Sequence, residues 1–170
     1  MGVALQSAEP AISSSAARPR GRERTIPLQY PASKTMTAPL SYNVDEATCA
    51  ATVTYHAQPT MMEWRKVVAR LLTHAAFQPH FAVLFDRRRI YTPAATDDTH
   101  QFVRMLDEKR GRGNMTGRCA IIVSDPASFE MGKMAEQISC FPNSIRTFHF
   151  LEEAERWVAE ASGLTEAKAA

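Results

Sequence analysis

The sequence predicts an α/β domain built on a mostly parallel, buried sheet, and three observations predict it. First, between Phe81 and Val158 a short apolar burst, a polar turn and a helix-patterned stretch recur three times, the bursts being FAVLF (81 to 85), CAIIV (119 to 123) and IRTFHF (145 to 150). Apolar runs of this length, separated by helical patterns, build parallel strands covered on both faces. Second, the first two bursts run straight into Asp86 and into Ser124-Asp125, polar residues that mark strand ends. Third, 170 residues at 45% hydrophobic can enclose one core of ordinary size, which predicts one domain.

Residues 1 to 38 carry no apolar period long enough to bury a face. They mix Ser13-Ser14-Ser15, alternating arginines and the prolines Pro10, Pro19, Pro27 and Pro31, which predicts a disordered tail. No apolar h-region follows a basic start, so a secretory signal is not expected. The Arg and Ser content suits a transit peptide, whereas Glu9, Glu23 and the prolines oppose an amphipathic helix there. Met36 stands just before the first strand-like segment, leaving both Met1 and Met36 open as translation starts. The domain is expected over 39 to 163, followed by a disordered C-terminus over 164 to 170.

Within the domain, Ser41 to Asp45 and Thr48 to Tyr55 read as two strands joined by a short turn, a hairpin-like start. Gln58-Pro59-Thr60 stops the second strand. Thr60 and Glu63 have capping-box spacing, and Met61, Trp64, Val67, Val68, Leu71, Leu72 and Ala75 follow as one helical stripe. After FAVLF, a helix turns Phe102, Val103, Met105 and Leu106 toward the sheet. Acidic residues at its start and Lys109-Arg110 at its end suit the helix dipole, and Gly111 and Gly113 end it. CAIIV leads to Asp125 as an N-cap and Pro126 as first helical residue, and this helix is expected to bury Ala127, Met131, Met134, Ala135 and Ile138. A last stripe, Leu151, Ala154, Trp157, Val158 and Ala161, ends at Gly163.

Charge and motif content narrow the function classes. The tail holds five basic residues against two acidic ones, leaving 15 basic and 16 acidic residues in a nearly neutral domain. The pI of about 8.5 therefore comes from the tail rather than from a nucleic-acid-binding face. No apolar run reaches the ~18 residues of a membrane helix. Cys49, Cys119 and Cys140 form no CxxC pair and read as packed thiols, which predicts a reducing, cytoplasmic setting. The five histidines show no HxxxH or HExxH spacing, no GxSxG, GxGxxG or GxxxxGKT occurs, and neither a metal nor a cofactor is expected.

Arg87-Arg88-Arg89 follows a strand and so stands at the carboxyl end of the sheet, where open α/β folds place ligands. Solvated surface competes with an anion, phospholipid headgroup or acidic partner as the reading of this cluster. Lys109, Arg110, Arg112 and Arg118 precede a parallel strand and belong at the opposite end, so the two groups make no continuous nucleic-acid groove. Asp86 and Asp125 could be taken as an acid pair, although capping explains Asp125 better. The candidate partner or ligand edge comprises Asp86, Arg87, Arg88, Arg89, Ser124, Asp125 and Phe129, continuing to Thr92 and Phe150.

The order strand, strand, helix, strand, helix, strand, helix, strand, helix resembles the SpoIIAA-like family, which shares a fold with STAS and CRAL-TRIO lipid-binding domains. TMMEWRKVVARLL, FAVLFDRRR, RCAIIVSDPASFEMGKMAE and RTFHFLEEAERWV carry the resemblance across about residues 41 to 161. It implies a mixed, mostly parallel sheet of about five strands with helices mainly on one side. It also implies a non-enzymatic binding or regulatory module acting through a protein partner, with a small carrier of lipid or another apolar ligand as the alternative. STAS antagonists carry a phosphorylatable Ser or Thr just after the strand that here ends at Phe85. That place is taken by Asp86-Arg87-Arg88-Arg89, and Thr92 and Thr96 are the nearest hydroxyls.

Overall fold

The computed structural model describes residues 38 to 161. The expected tail (Ala38 apart), the two candidate start methionines, the stop at Gly163 and the segment 164 to 170 lie outside the described residues. The first described elements are strands β1 (Leu40–Asp45) and β2 (Ala50–Tyr55), antiparallel with Leu40 opposite Tyr55. The second strand starts at Ala50 and not at Thr48. Cys49 N–H donates to Glu46 O at 3.3 Å, and Cys49 takes φ 48°, a left-handed conformation that breaks the pleat.

Thr60 caps helix α1 (Met61–Leu72) with both halves of the expected box: its hydroxyl accepts from Glu63 N–H, and the Glu63 carboxylate accepts from Thr60 N–H at 2.7 Å. The stripe buries Trp64, Val68 and Leu71. Ala75 does not join it. The helix ends at Leu72, where the Thr73 hydroxyl donates to the Ala69 and Arg70 carbonyls, and Ala75 lies exposed beyond that turn.

Strand β3 (Ala82–Asp86), helix α2 (Thr96–Gly111), strand β4 (Cys119–Ile122), helix α3 (Pro126–Ile138), strand β5 (Ile145–Phe148) and helix α4 (Leu151–Ala161) follow. Strands β2 to β5 are parallel, and the five-stranded sheet keeps chain order, β1-β2-β3-β4-β5. Each crossover therefore steps in the same direction. Crossovers of one hand that step one way leave their helices on one face. Accordingly α1, α2 and α3 pack with Val53, Val83, Phe85, Cys119 and Ile121, while α4, alone among the described elements, packs Ala154, Trp157 and Val158 against Ala82, Leu84, Ala120 and Ile122 on the other. Successive strand residues alternate between these two cores because the strand period is two.

Helix α3 departs from the expected burial. It buries Ser128, Gly132 and Ala135, whereas Ala127 is exposed and Met131, Met134 and Ile138 are half-buried. The small stripe sets the helix down on β5: a Cβ at Gly132 would come within 2.4 Å of Thr147 Oγ1. Gly117 is more constrained still, since a Cβ there would meet the Phe81 carbonyl oxygen at 2.1 Å. Gly117→Ala is expected to cost about 1–3 kcal/mol in urea denaturation, because backbone must move. Gly111→Ala, with nothing within 4 Å of the added carbon, should stay within about 0.5 kcal/mol of the parent or gain stability. Equal effects would contradict this packing.

Candidate functional site

The pleat of β3 divides the arginine cluster. Phe85 points into the three-helix core, and Arg87, two residues on, faces the same side and lines a cleft beside it. Asp86 and Arg88 face the α4 side, where Glu152 and Glu155 add to the potential at Arg88. The Arg88 guanidinium grips Asp86 through Nε to Oδ1 at 3.0 Å and Nη2 to Oδ2 at 2.8 Å. This hydrogen bonding holds the Asp86 carboxyl below the ordinary range against the opposing effect of burial. Arg88 and Arg89 are exposed, as are Thr92 and Thr96. The three arginines are therefore not one basic patch.

The remaining edge residues come together around the turn after β4. The Ser124 hydroxyl donates to the Arg88 carbonyl at 3.0 Å, tying this turn to the one after β3. Asp125 caps α3 as expected, its Oδ1 accepting from Ser128 N–H at 2.9 Å, and this hydrogen bonding lowers its pKa. Both carboxyls of the suggested acid pair are thus shifted down, so neither holds a proton to give near neutrality. Phe129 stacks on His149 with ring centroids 4.2 Å apart. Tyr91 and Phe150 stand out from the same end of the sheet at 75% and 62% exposure.

The cleft was not legible as a site. It opens where α1, α2 and α3 begin, above the carboxyl ends of β2 to β4, and has a cavity volume of about 70 Å³. Trp64, Phe85 and Phe102 form its aromatic wall, with ring centroids 4.7 to 5.5 Å apart. Met61 and Met131 extend the apolar lining, while Tyr55, Arg87, Asp98 and Ser128 bring polar atoms to it. The Arg87 guanidinium lies over the Tyr55 ring at 5.3 Å, and its Nη2 donates to Gln58 Oε1 at 3.2 Å and Thr92 O at 3.3 Å. Its Nε is buried without a partner among the described residues, as is the hydroxyl of Ser128, a residue only 3% exposed. Tyr55 accepts a hydrogen bond from Trp64 Nε1, and burial pushes its phenol up to about 12 against the opposing charge of Arg87. Ser128 was within reach of sequence reading, since Ser128, Gly132 and Ala135 are small residues at helical spacing.

The second basic group is only partly solvated surface: Arg112 is exposed and Lys109 half-buried, whereas Arg110 and Arg118 are packed. Arg110 is buried, its Nη2 donating to Cys119 Sγ at 3.1 Å and Ser144 O at 3.0 Å. The Arg118 guanidinium stacks on Trp157 at 4.6 Å and donates to the Trp157 carbonyl at 2.6 Å, and Arg112 pairs with Glu108. Of the thiols expected to pack, Cys119 is buried and Cys49 is half-buried against the core, whereas Cys140 is exposed in the turn after α3. Burial raises the Cys119 thiol, opposed by Arg110. Among the described residues no three His, Cys, Asp or Glu side chains are grouped to hold a metal ion, and no helix is long and apolar enough to cross a membrane.

No protein-family profile, curated protein or solved structure matches this chain.

The buried phenol yields a direct check. Ultraviolet titration of the phenolates should show one tyrosine ionising near pH 12, a step absent from Tyr55→Phe. Because this pKa lies above the unfolded value of about 10, the folded state retains the proton longer. Its contribution to stability is complete below pH 10 and declines as pH rises from about 10 to 12. Titration of every tyrosine near the ordinary value would place Tyr55 in water.

Proposed function

We propose that this chain is a cytoplasmic, non-enzymatic binding or regulatory module of STAS or SpoIIAA-like type, acting through protein contacts at the carboxyl end of its sheet. The carrying observation is the exposure of Tyr91 and Phe150 at the end that also presents Arg88 and Arg89. Aromatic residues and arginine are the types enriched in interface cores and hot spots. The Ser124 to Arg88 hydrogen bond joins two of the turns involved, so a partner would meet a partly pre-ordered surface. The element sequence and the unbroken strand order support the family resemblance. Thr96 is the first residue of α2, whose N-cap Ala95 supplies no side-chain acceptor. A phosphate on Thr96, or on exposed Thr92 just before it, would meet free helix amides but also the charges of Asp97 and Asp98 in the same turn, which limit its gain.

A second reading, a small carrier of a lipid or other apolar ligand, is favoured by the cleft, whose wall of Trp64, Phe85 and Phe102 offers apolar surface beside a few polar atoms.

Native mass spectrometry of the protein purified from its own host tests the leading reading. A protein partner should accompany the parent chain and be lost from a Tyr91→Ser, Phe150→Ser variant that retains the parent's thermal unfolding. Retention of the partner by that variant would remove this surface from the interface.

A further inference from the structure

We propose that the cleft at the amino ends of α1, α2 and α3 binds an amphiphilic monocarboxylate, with its carboxylate on Arg87, Ser128 and Tyr55 and its apolar body against the aromatic wall. This rests on the carrier reading and specifies the head group that reading leaves open.

Unused donors carry the first part. Buried polar atoms in folded proteins are nearly always paired, yet Arg87 Nε and Ser128 Oγ have no partner among the described residues. Both residues line the same cleft. Tyr55 accepts from Trp64, and its own proton has no acceptor among the described residues. The cleft thus offers N–H and O–H donors beside an apolar wall. A carboxylate supplies two acceptor oxygens to such a set and makes charge-assisted bonds with a guanidinium.

Charge selects one negative unit. Arg87 enters no ion pair among the described residues, its Nη2 being taken by an amide and a carbonyl. The start of α2 adds positive partial charge, since Ala95 gives its amides no side-chain cap. Two carboxylates limit the total. Asp98 lies in the lining within the first turn of α2, and Asp125 caps α3 close enough for Arg87 to lower its pKa. Each complements the amino end of its own helix, and together they oppose a dianion such as a phosphate monoester. The body of the ligand then lies on Met61, Trp64, Phe102 and Met131, which an inorganic anion would leave uncovered.

Calorimetric titration of the full chain with decanoate, decanol, decyl phosphate and decyltrimethylammonium tests this. Trp64 fluorescence serves as a local reporter, since the other tryptophan, Trp157, packs on the opposite face of the sheet. Decanoate should saturate at one per chain and bind at least about ten-fold more tightly than decanol, as a charge-assisted pair requires. Arg87→Gln should reduce decanoate to the affinity of decanol while leaving decanol unchanged, and Ser128→Ala should weaken decanoate alone. Decanol matching decanoate on the parent chain would overturn the head-group assignment and leave the carrier reading standing. Tighter binding of decyl phosphate or of the ammonium would overturn the choice of a single negative charge. Saturation by none of the four would overturn the carrier reading as well.

Discussion

Three successive crossovers that step the same way across the sheet constrain everything else in this fold. Because β2 to β5 are parallel and lie in chain order, the three connecting helices must share one face. Their amino ends then collect above the carboxyl ends of the strands, where the side-chain layer is least continuous. Trp64 and Phe102 come from two different helices and meet Phe85 from the sheet at that place. The cleft is the space left between them and α3. Among the described residues only α4 covers the opposite face, and it packs across β3 to β5 with Trp157 as its largest buried side chain.

A strand pleat turns one run of three arginines into different functions. Arg87 follows Phe85 to the helix-covered side, while Asp86 and Arg88 form a closed pair on the other. The exposed pair is of small energetic weight, about 0–1 kcal/mol for such bridges, and its effect is to shape the turn. Arg87 differs in kind. Its charge is partly withdrawn from water and met by neutral acceptors. At the amino end of the sheet the arginines are absorbed by packing, Arg110 against Cys119 and Ser144 and Arg118 against Trp157.

What was legible in the sequence was local or periodic. The Thr60 and Glu63 box and the Asp125 cap are set by residues three apart, and the structure contains both. The apolar bursts became strands because length and flanking turns suffice to recognise them. The site was only half legible. The carboxyl end of the sheet could be chosen from topology, but the separate directions of Arg87 and Arg88 require extending the period of two beyond the strand end. The burial of Arg110 and the depth of α3 depend on contacts between segments distant in the chain. Met131 and Met134 were overestimated as core because apolar character was weighed above size, and Ala127 because it stands off the Ser128, Gly132 and Ala135 stripe. A helix held against a strand by Gly132 buries small residues first.

The proposal most open to a direct test is that the cleft at the carboxyl end of β3, organised by Arg87, takes a carboxylate ligand. Nuclear magnetic resonance shift mapping of the full chain during addition of decanoate tests it most directly. The largest amide shifts, together with that of the Arg87 Nε–H, are expected at Tyr55 to Trp64, Thr96 to Phe102 and Ser128 to Ala135, with α4 and the amino ends of the strands unchanged. Shifts concentrated on α4, or an Arg87 Nε–H signal that does not move while others do, would contradict it.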